Sequence, residues 1–229
     1  MSYPIDQKIS NVPSLDLDKP DKKKFPVLEA VITVLYLVGI IGMSIPEVRP
    51  YFQSLTPYQL LITLGIMLSK HRDWNDSFIR FLAAAFLIGY GSEVSGVHTG
   101  FPFGNYQYGP VLGPQLFEVP ILIGVNWLIL IYLTGTLLYK WIQNDIFASL
   151  LGAFAMVMID YAIEPVAIVL DFWTWENDII PLSNYLGWFG VAFIIQLIFR
   201  KAEFSKENKI SAYLLVNLVA FFVILNFIL

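Results

Sequence analysis

Residues 119–139 read VPILIGVNWLILIYLTGTLLY and contain no charged side chain. About 20 predominantly apolar residues, rising roughly 1.5 Å each, make a helix as long as the hydrocarbon core of a bilayer is thick. The rest of the chain agrees with that reading. Of its 229 residues 57% are hydrophobic and only 14% charged, and the mean hydropathy is +0.65. That leaves too little polar surface to coat a soluble domain of this size.

Six further apolar stretches lie on either side, at 26–45, 54–69, 78–96, 146–170, 186–199 and 210–229. Two of them, 54–69 and 186–199, are short and must tilt, borrow interfacial residues or re-enter. Charge placement argues for seven complete spans, because Lys and Arg accumulate in cytoplasmic loops. With the amino terminus inside, Lys8, Lys19, Lys22, Lys23, Lys24, Lys70, Arg72, Arg80, Lys140, Arg200, Lys201, Lys206 and Lys209 all fall inside, and only Arg49 falls outside. A re-entrant hairpin made of the second and third stretches would move Lys70, Arg72 and Arg80 to the wrong side. The sequence therefore predicts an all-α integral membrane protein: a bundle of about seven transmembrane helices, multi-pass in the cell membrane, with a cytoplasmic amino terminus and an outside carboxyl terminus. Residues 1–25 are polar and lack the apolar core of a signal peptide, so they read as a disordered cytoplasmic tail. Residues 26–229 read as a single transmembrane domain whose outer loops, 97–118 and 171–185, form the site.

The composition excludes several chemistries. The absence of cysteine removes disulfides, thiolate metal sites and cysteine nucleophiles. His71 and His98 alone are too few for a histidine-rich di-iron oxygenase or a multi-haem protein. A net charge of −4 argues against nucleic acid as a partner. Gly89-Tyr90-Gly91 ends a helix and follows no strand, so it is no dinucleotide fingerprint. Asp73 and Asp76 read as solvated loop acids, and Asn217 and Asn226 as packing or interhelical hydrogen-bonding residues in an otherwise featureless last helix.

The polar chemistry gathers in two outer connections, 91–118 and 160–188, which hold no Lys or Arg. A carboxylate in mid-membrane costs about 2.5–3.5 kcal/mol on insertion scales, which makes Glu93 and Asp160 conspicuous. Counted from their cytoplasmic ends, both lie roughly 21–22 Å along their helices, at one depth. Helical spacing also puts Asp160, Glu164 and Asp171 within about 40° of one another, an acidic face on the fifth helix. Pro165 kinks or breaks that helix, and irregular backbone at such depth belongs beside protein or a wet cavity. Blander readings stand beside these. Glu164 and Asp171 also fit interfacial residues, Glu93 and Asp160 an interhelical hydrogen bond, and His98 a packed loop residue. Trp127, Trp173, Trp175 and Trp188 also fit an aromatic belt. A carboxyl pocket lined by Phe101, Phe103, Tyr106, Tyr108, Trp173 and Trp175 suits proton chemistry on a lipophilic substrate entering from the bilayer. A sheltered carboxylic acid serves as general acid there, and aromatic faces stabilise a developing carbocation.

These residues also resemble a known family. Glu93, Gly96-Val97, Thr99-Gly100, Pro102-Phe103-Gly104, Tyr106 and Tyr108 are followed by Leu112-Gly113-Pro114, Val119-Pro120 and Trp127. Asp160, Glu164-Pro165, Trp173, Trp175, Pro181-Leu182, Asn184-Tyr185 and Trp188 complete a pattern similar to the carotenoid biosynthesis protein family. Its characterised members include carotenoid 1,2-hydratases and the related bisanhydrobacterioruberin hydratase. The likeness covers roughly residues 80–190, and the flanking helices add only hydrophobicity. Two positions depart from the pattern. Glu164 stands where the family commonly has Asp, giving the acid a longer reach, and Ile180 stands where Gly commonly precedes the proline. The resemblance implies a hydro-lyase that needs no cofactor and no metal and adds water to the terminal 1,2 double bond of an acyclic carotenoid. In that reading Glu93 and Asp160 form the acid/base pair, while Glu164 and His98 orient water or tune the acids. Phe103, Tyr106, Tyr108, Asn126, Trp127, Trp173, Trp175 and Asn184 bind the substrate. The implied partners are the carotenoid, the bilayer and other enzymes of the carotenoid pathway. A carotenoid end-group cyclase, or a non-catalytic carotenoid-binding or transport protein, is the alternative.

Overall fold

The computed structural model describes residues 27–229, so the tail expected over 1–25 lies outside the described residues. Among the described residues seven α-helices run in order: α1 (Val27–Ser44), α2 (Arg49–Ser69), α3 (Asp76–Thr99), α4 (Ile121–Tyr139), α5 (Asp145–Val169), α6 (Leu182–Lys201) and α7 (Ser211–Ile228). The chain is an all-α membrane bundle, and six of these helices are long and apolar enough to cross a bilayer. The two short stretches gain length from their flanks. Helix α6 takes in Leu182 to Tyr185 at one end and Arg200-Lys201 at the other. Helix α2 starts five residues before its apolar stretch, with Pro50 in its first turn where no intrahelical donor is needed. At 21 residues α2 is long enough to span, but Gln53, Ser54, Thr56, Gln59 and Thr63 make it less apolar than the others.

Helix α4, which carries no charged side chain, occupies the centre and touches α2, α3, α5, α6 and α7. Its residues from Trp127 to Thr136 are all buried. A helix that is apolar on every side is stable only when it is covered on every side. Local chemistry fixes several helix ends. The Asn75 and Asn144 side chains each accept from a backbone N–H three residues on, at 2.9 Å, capping α3 and α5. Helix α5 runs unbroken through Pro165.

At one end of the bundle the connections tie the helices together. His71 bonds Tyr132 on α4 through Nδ1, at 2.9 Å, and the Asp73 carbonyl through Nε2, at 2.8 Å. Asp73 is not merely solvated, since its Oδ2 accepts the Ser205 backbone N–H at 2.7 Å across the bundle. Asn226 donates from α7 to the Ala162 carbonyl of α5, an interhelical bond of the kind its position suggested.

The other end holds two short antiparallel ribbons. Strand β1 (Tyr106–Tyr108) pairs with β4 (Trp173–Trp175), and β2 (Gln115–Leu116) pairs with β3 (Val119–Pro120). The β1–β4 register sets Tyr106 opposite Trp175 and Tyr108 opposite Trp173. Because side chains alternate along a strand, all four aromatic residues share one face and Gln107 and Thr174 take the other.

Candidate functional site

Beneath the aromatic face of the β1–β4 ribbon lies a chamber of about 20 Å³ lined by Glu93, Tyr106, Tyr108, Ile123, Asn126, Asp160, Glu164, Trp173, Trp175, Asn184 and Trp188. Helices α3, α4, α5 and α6 each contribute to it. Glu93, Asp160 and Glu164 are all buried. They come together although they sit on two helices, because the same rise from the same end of the bundle brings α3 and α5 to one depth.

Each carboxyl has a different set of partners. Glu93 Oε2 accepts from the Tyr106 and Tyr108 hydroxyls at 2.5 and 2.7 Å, and Oε1 accepts from Trp127 Nε1 at 2.8 Å. Burial and then the nearby Glu93 push both phenols above their ordinary pKa, so they remain hydroxyls able to donate. Glu164 Oε2 accepts from Trp173 Nε1 at 2.9 Å and Trp175 Nε1 at 2.8 Å, while its Oε1 accepts from Asn184 Nδ2 at 3.1 Å. These three N–H groups can only donate, so Glu164 is held as an acceptor. The second hydrogen of Asn184 Nδ2 goes to Asp160 Oδ2 at 2.8 Å, bridging the two acids of α5. Asp160 Oδ1 is buried without a hydrogen-bond partner among the described residues.

Two glycines make the Glu93 cluster possible. Gly89 and Gly96 stand four residues before and three after Glu93, on the same helix face. A Cβ on Gly89 would lie 2.5 Å from Trp127 Cβ, and one on Gly96 would lie 2.7 Å from the Tyr106 hydroxyl and 2.8 Å from the Phe103 ring. Gly89→Ala and Gly96→Ala should therefore each cost about 1–3 kcal/mol by overpacking, read as a lower melting temperature in detergent. Gly91→Ala, on the same helix with open space around it, is the control. Melting of all three variants alike would show that the close approach is not needed.

Several expected residues stand elsewhere. His98 is exposed at the end of α3 and does not line the chamber. Five residues turn a helix by about 500°, which aims His98 roughly 140° away from Glu93. Phe101 is 75% exposed, and Asp171 lies beyond the last turn of α5 on the surface, off the acidic face. Phe103 is buried behind the chamber, packed near Tyr106 and Trp127 rather than lining it. Trp127, Trp175 and Trp188 are buried instead of forming a belt, and Trp127 stacks on Trp188 with ring centroids 4.3 Å apart.

Sequence reasoning missed the larger neighbouring space. A cavity of about 270 Å³ runs between α1, α2 and α7, walled by side chains such as Tyr36, Phe52, Gln59, Thr63, Leu218 and Phe221. It shares Ile123, Asn126 and Trp173 with the carboxyl chamber, so the two spaces adjoin. One signal was present in the sequence, since Thr56, Gln59 and Thr63 fall within about 60° on α2 and mark a face turned away from lipid. Among the described residues no set of three His, Cys, Asp or Glu side chains is arranged to hold a metal ion.

The architecture and the motifs meet in the comparisons with known proteins. The profile described as carotenoid biosynthesis protein matches residues 55–229. A bisanhydrobacterioruberin hydratase from Haloarcula japonica is 32% identical over 152 residues, covering 61% of this chain and 52% of that protein. This chain thus spans about half the length of that relative. No solved structure matches the chain. With most of its length under the family profile, the chain belongs to the carotenoid biosynthesis protein family.

Proposed function

We propose that the chain is a carotenoid hydratase acting on the terminal double bond of an acyclic end group. The observation that carries this reading is Asp160, whose Oδ1 is, among the described residues, the one oxygen of the three carboxyls that no donor occupies. It belongs to a chamber that adjoins an apolar cavity. The cavity receives the apolar end of the polyene from the bilayer, and its terminal carbon–carbon double bond reaches the chamber. Asp160 in its acid form gives its proton to carbon 2 as the π electrons form the new C–H bond, leaving a tertiary cation at carbon 1. A water oxygen bonds to that cation, and the released proton returns to the Asp160 carboxylate, for a net gain of one water. Glu93 and Glu164, each fixed by three donors, stabilise the developing positive charge together with the faces of Tyr106, Trp173 and Trp175. The hydratase name of the relative from Haloarcula japonica supports the same reaction class.

Expression in cells that accumulate lycopene or another acyclic carotenoid tests this directly. The expected product is heavier by one water. A ring in a product of unchanged mass would point instead to a cyclase, and return of unchanged substrates across several acyclic carotenoids would point to a binding protein. We further propose that the protein lies in the cell membrane with its amino terminus in the cytoplasm, on the strength of the thirteen basic residues on one side. A reporter active only in the cytoplasm, fused after Tyr108, should then stay silent, and strong activity would reverse the orientation.

A further inference from the structure

Among the described residues, Asn126 and Trp188 line the chamber with polar groups that take no part in the carboxyl network, and of the two only Asn126 also lines the apolar cavity. It sits on α4 beside the fully buried Trp127, is itself only half-buried, and lines both the apolar cavity and the carboxyl chamber. Ile123 and Trp173 also line both spaces, but Ile123 has no polar group and the Trp173 N–H is committed to Glu164. The hydrogen bonds that reach the three acids come from Tyr106, Tyr108, Trp127, Trp173, Trp175 and Asn184, and none uses the Asn126 amide. The chamber, at about 20 Å³, exceeds the roughly 10–15 Å³ that one water molecule needs. A water there also needs polar partners, and among the described residues the chamber-lining groups without a hydrogen bond are the Asn126 amide, Asp160 Oδ1 and the Trp188 indole N–H, of which only the amide also faces the apolar cavity.

We propose that Asn126 is the water-positioning residue: its amide holds one water at the junction of the two spaces, aimed at the carbon that becomes cationic. The inference rests on the hydratase reading and deepens it, because it separates generation of the cation from its capture. The water oxygen forms the new C–O bond, and its proton passes to the Asp160 carboxylate left by the first step. An amide suits this duty, since it accepts one water hydrogen or donates to the water oxygen and cannot itself take the proton away.

Shape and polarity are separable at this position. Leu matches Asn closely in outline but offers no hydrogen bond, whereas Ser leaves a smaller side chain that still binds water. In cells accumulating an acyclic carotenoid, Asn126→Leu should slow formation of the hydrated product by about 10²-fold, the size of effect that misplacing a reactant produces. The carotenoid retained per protein should stay within about twofold of the parent, and Asn126→Ser should stay within about tenfold of the parent rate. A packing role predicts the opposite ranking, with Ser worse than Leu, and that ranking would overturn the proposal. Equal loss of product and retained carotenoid in Asn126→Leu would overturn it as well. A parent chain that yields no hydrated product sinks both the hydratase reading and this one; a parent that hydrates no faster than Asn126→Leu sinks this one alone.

Discussion

Asp160→Asn should all but abolish hydrated product while leaving the protein folded and able to retain carotenoid. The amide oxygen can take the place of Oδ2 and accept from Asn184 as before. The amide nitrogen then occupies the place of Oδ1, where no described residue repels it; as a buried donor without an acceptor it costs about 1–3 kcal/mol, small enough to leave the bundle folded. Volume and most hydrogen bonding are kept, and what disappears is the transferable proton. General acid catalysis usually contributes about 10²–10⁴-fold, so a loss of at least that size is expected. Product mass and retained carotenoid, both normalised to membrane protein, are the measurements. Hydration by the amide variant at the parent rate would remove Asp160 as the donor and leave Glu93 as the remaining candidate acid.

Glu164→Gln should fail differently, through the fold. An amide has one oxygen, and Glu164 must satisfy two indole N–H groups on one side and the Asn184 amide on the other. With its oxygen toward the indoles, its NH₂ faces the Asn184 NH₂; turned around, it faces Trp173 and Trp175. Rotating Asn184 does not rescue the arrangement unless Asp160 then becomes the donor, since the same nitrogen serves Asp160. Each buried donor left without an acceptor costs about 1–3 kcal/mol, so a total of about 2–5 kcal/mol is expected. The readout is thermal unfolding in detergent, with Glu176→Gln as the comparison. Glu176 bonds Asn105 at 2.7 Å on the exposed side of the ribbon, where solvent replaces a lost contact. If Glu164→Gln melts with the parent, the indole–carboxylate bonds are not what holds the ribbon to α5.

The helices were legible because bilayer thickness imposes a length and an apolarity that the chain carries openly. Even the short stretch at 186–199 became a full helix by taking in its flanking residues. Glu93 and Asp160 were legible for the same reason, as charges in a solvent that punishes them. The β1–β4 ribbon escaped notice because three-residue strands leave no statistical trace. Its alternation was nonetheless written in Tyr106-Gln107-Tyr108 and Trp173-Thr174-Trp175. Nearness in sequence misled for His98, which follows Glu93 by five residues yet points off another side of α3. It misled again for Phe101, which follows Gly100 out onto the surface. Beyond the polar face of α2, the apolar cavity left no trace for a different reason: helices α1 and α7 are apolar whether they face lipid or a cavity, and only their packing distinguishes the two.

That cavity has one more implication. Among the described residues, none of the hydrogen bonds that position Glu93, Asp160 and Glu164 comes from α1, α2 or α7. Yet those three helices supply most of the cavity wall. Changes at sites without shared partners combine almost independently in free energy. If the cavity holds the end group as proposed, mutation could resculpt Tyr36, Phe52, Gln59 or Phe221 for a bulkier or more polar one without loosening the acids. On the proposed function, such a division would make the protein evolvable, because new recognition could be sampled on one set of helices while the acids are inherited intact on another.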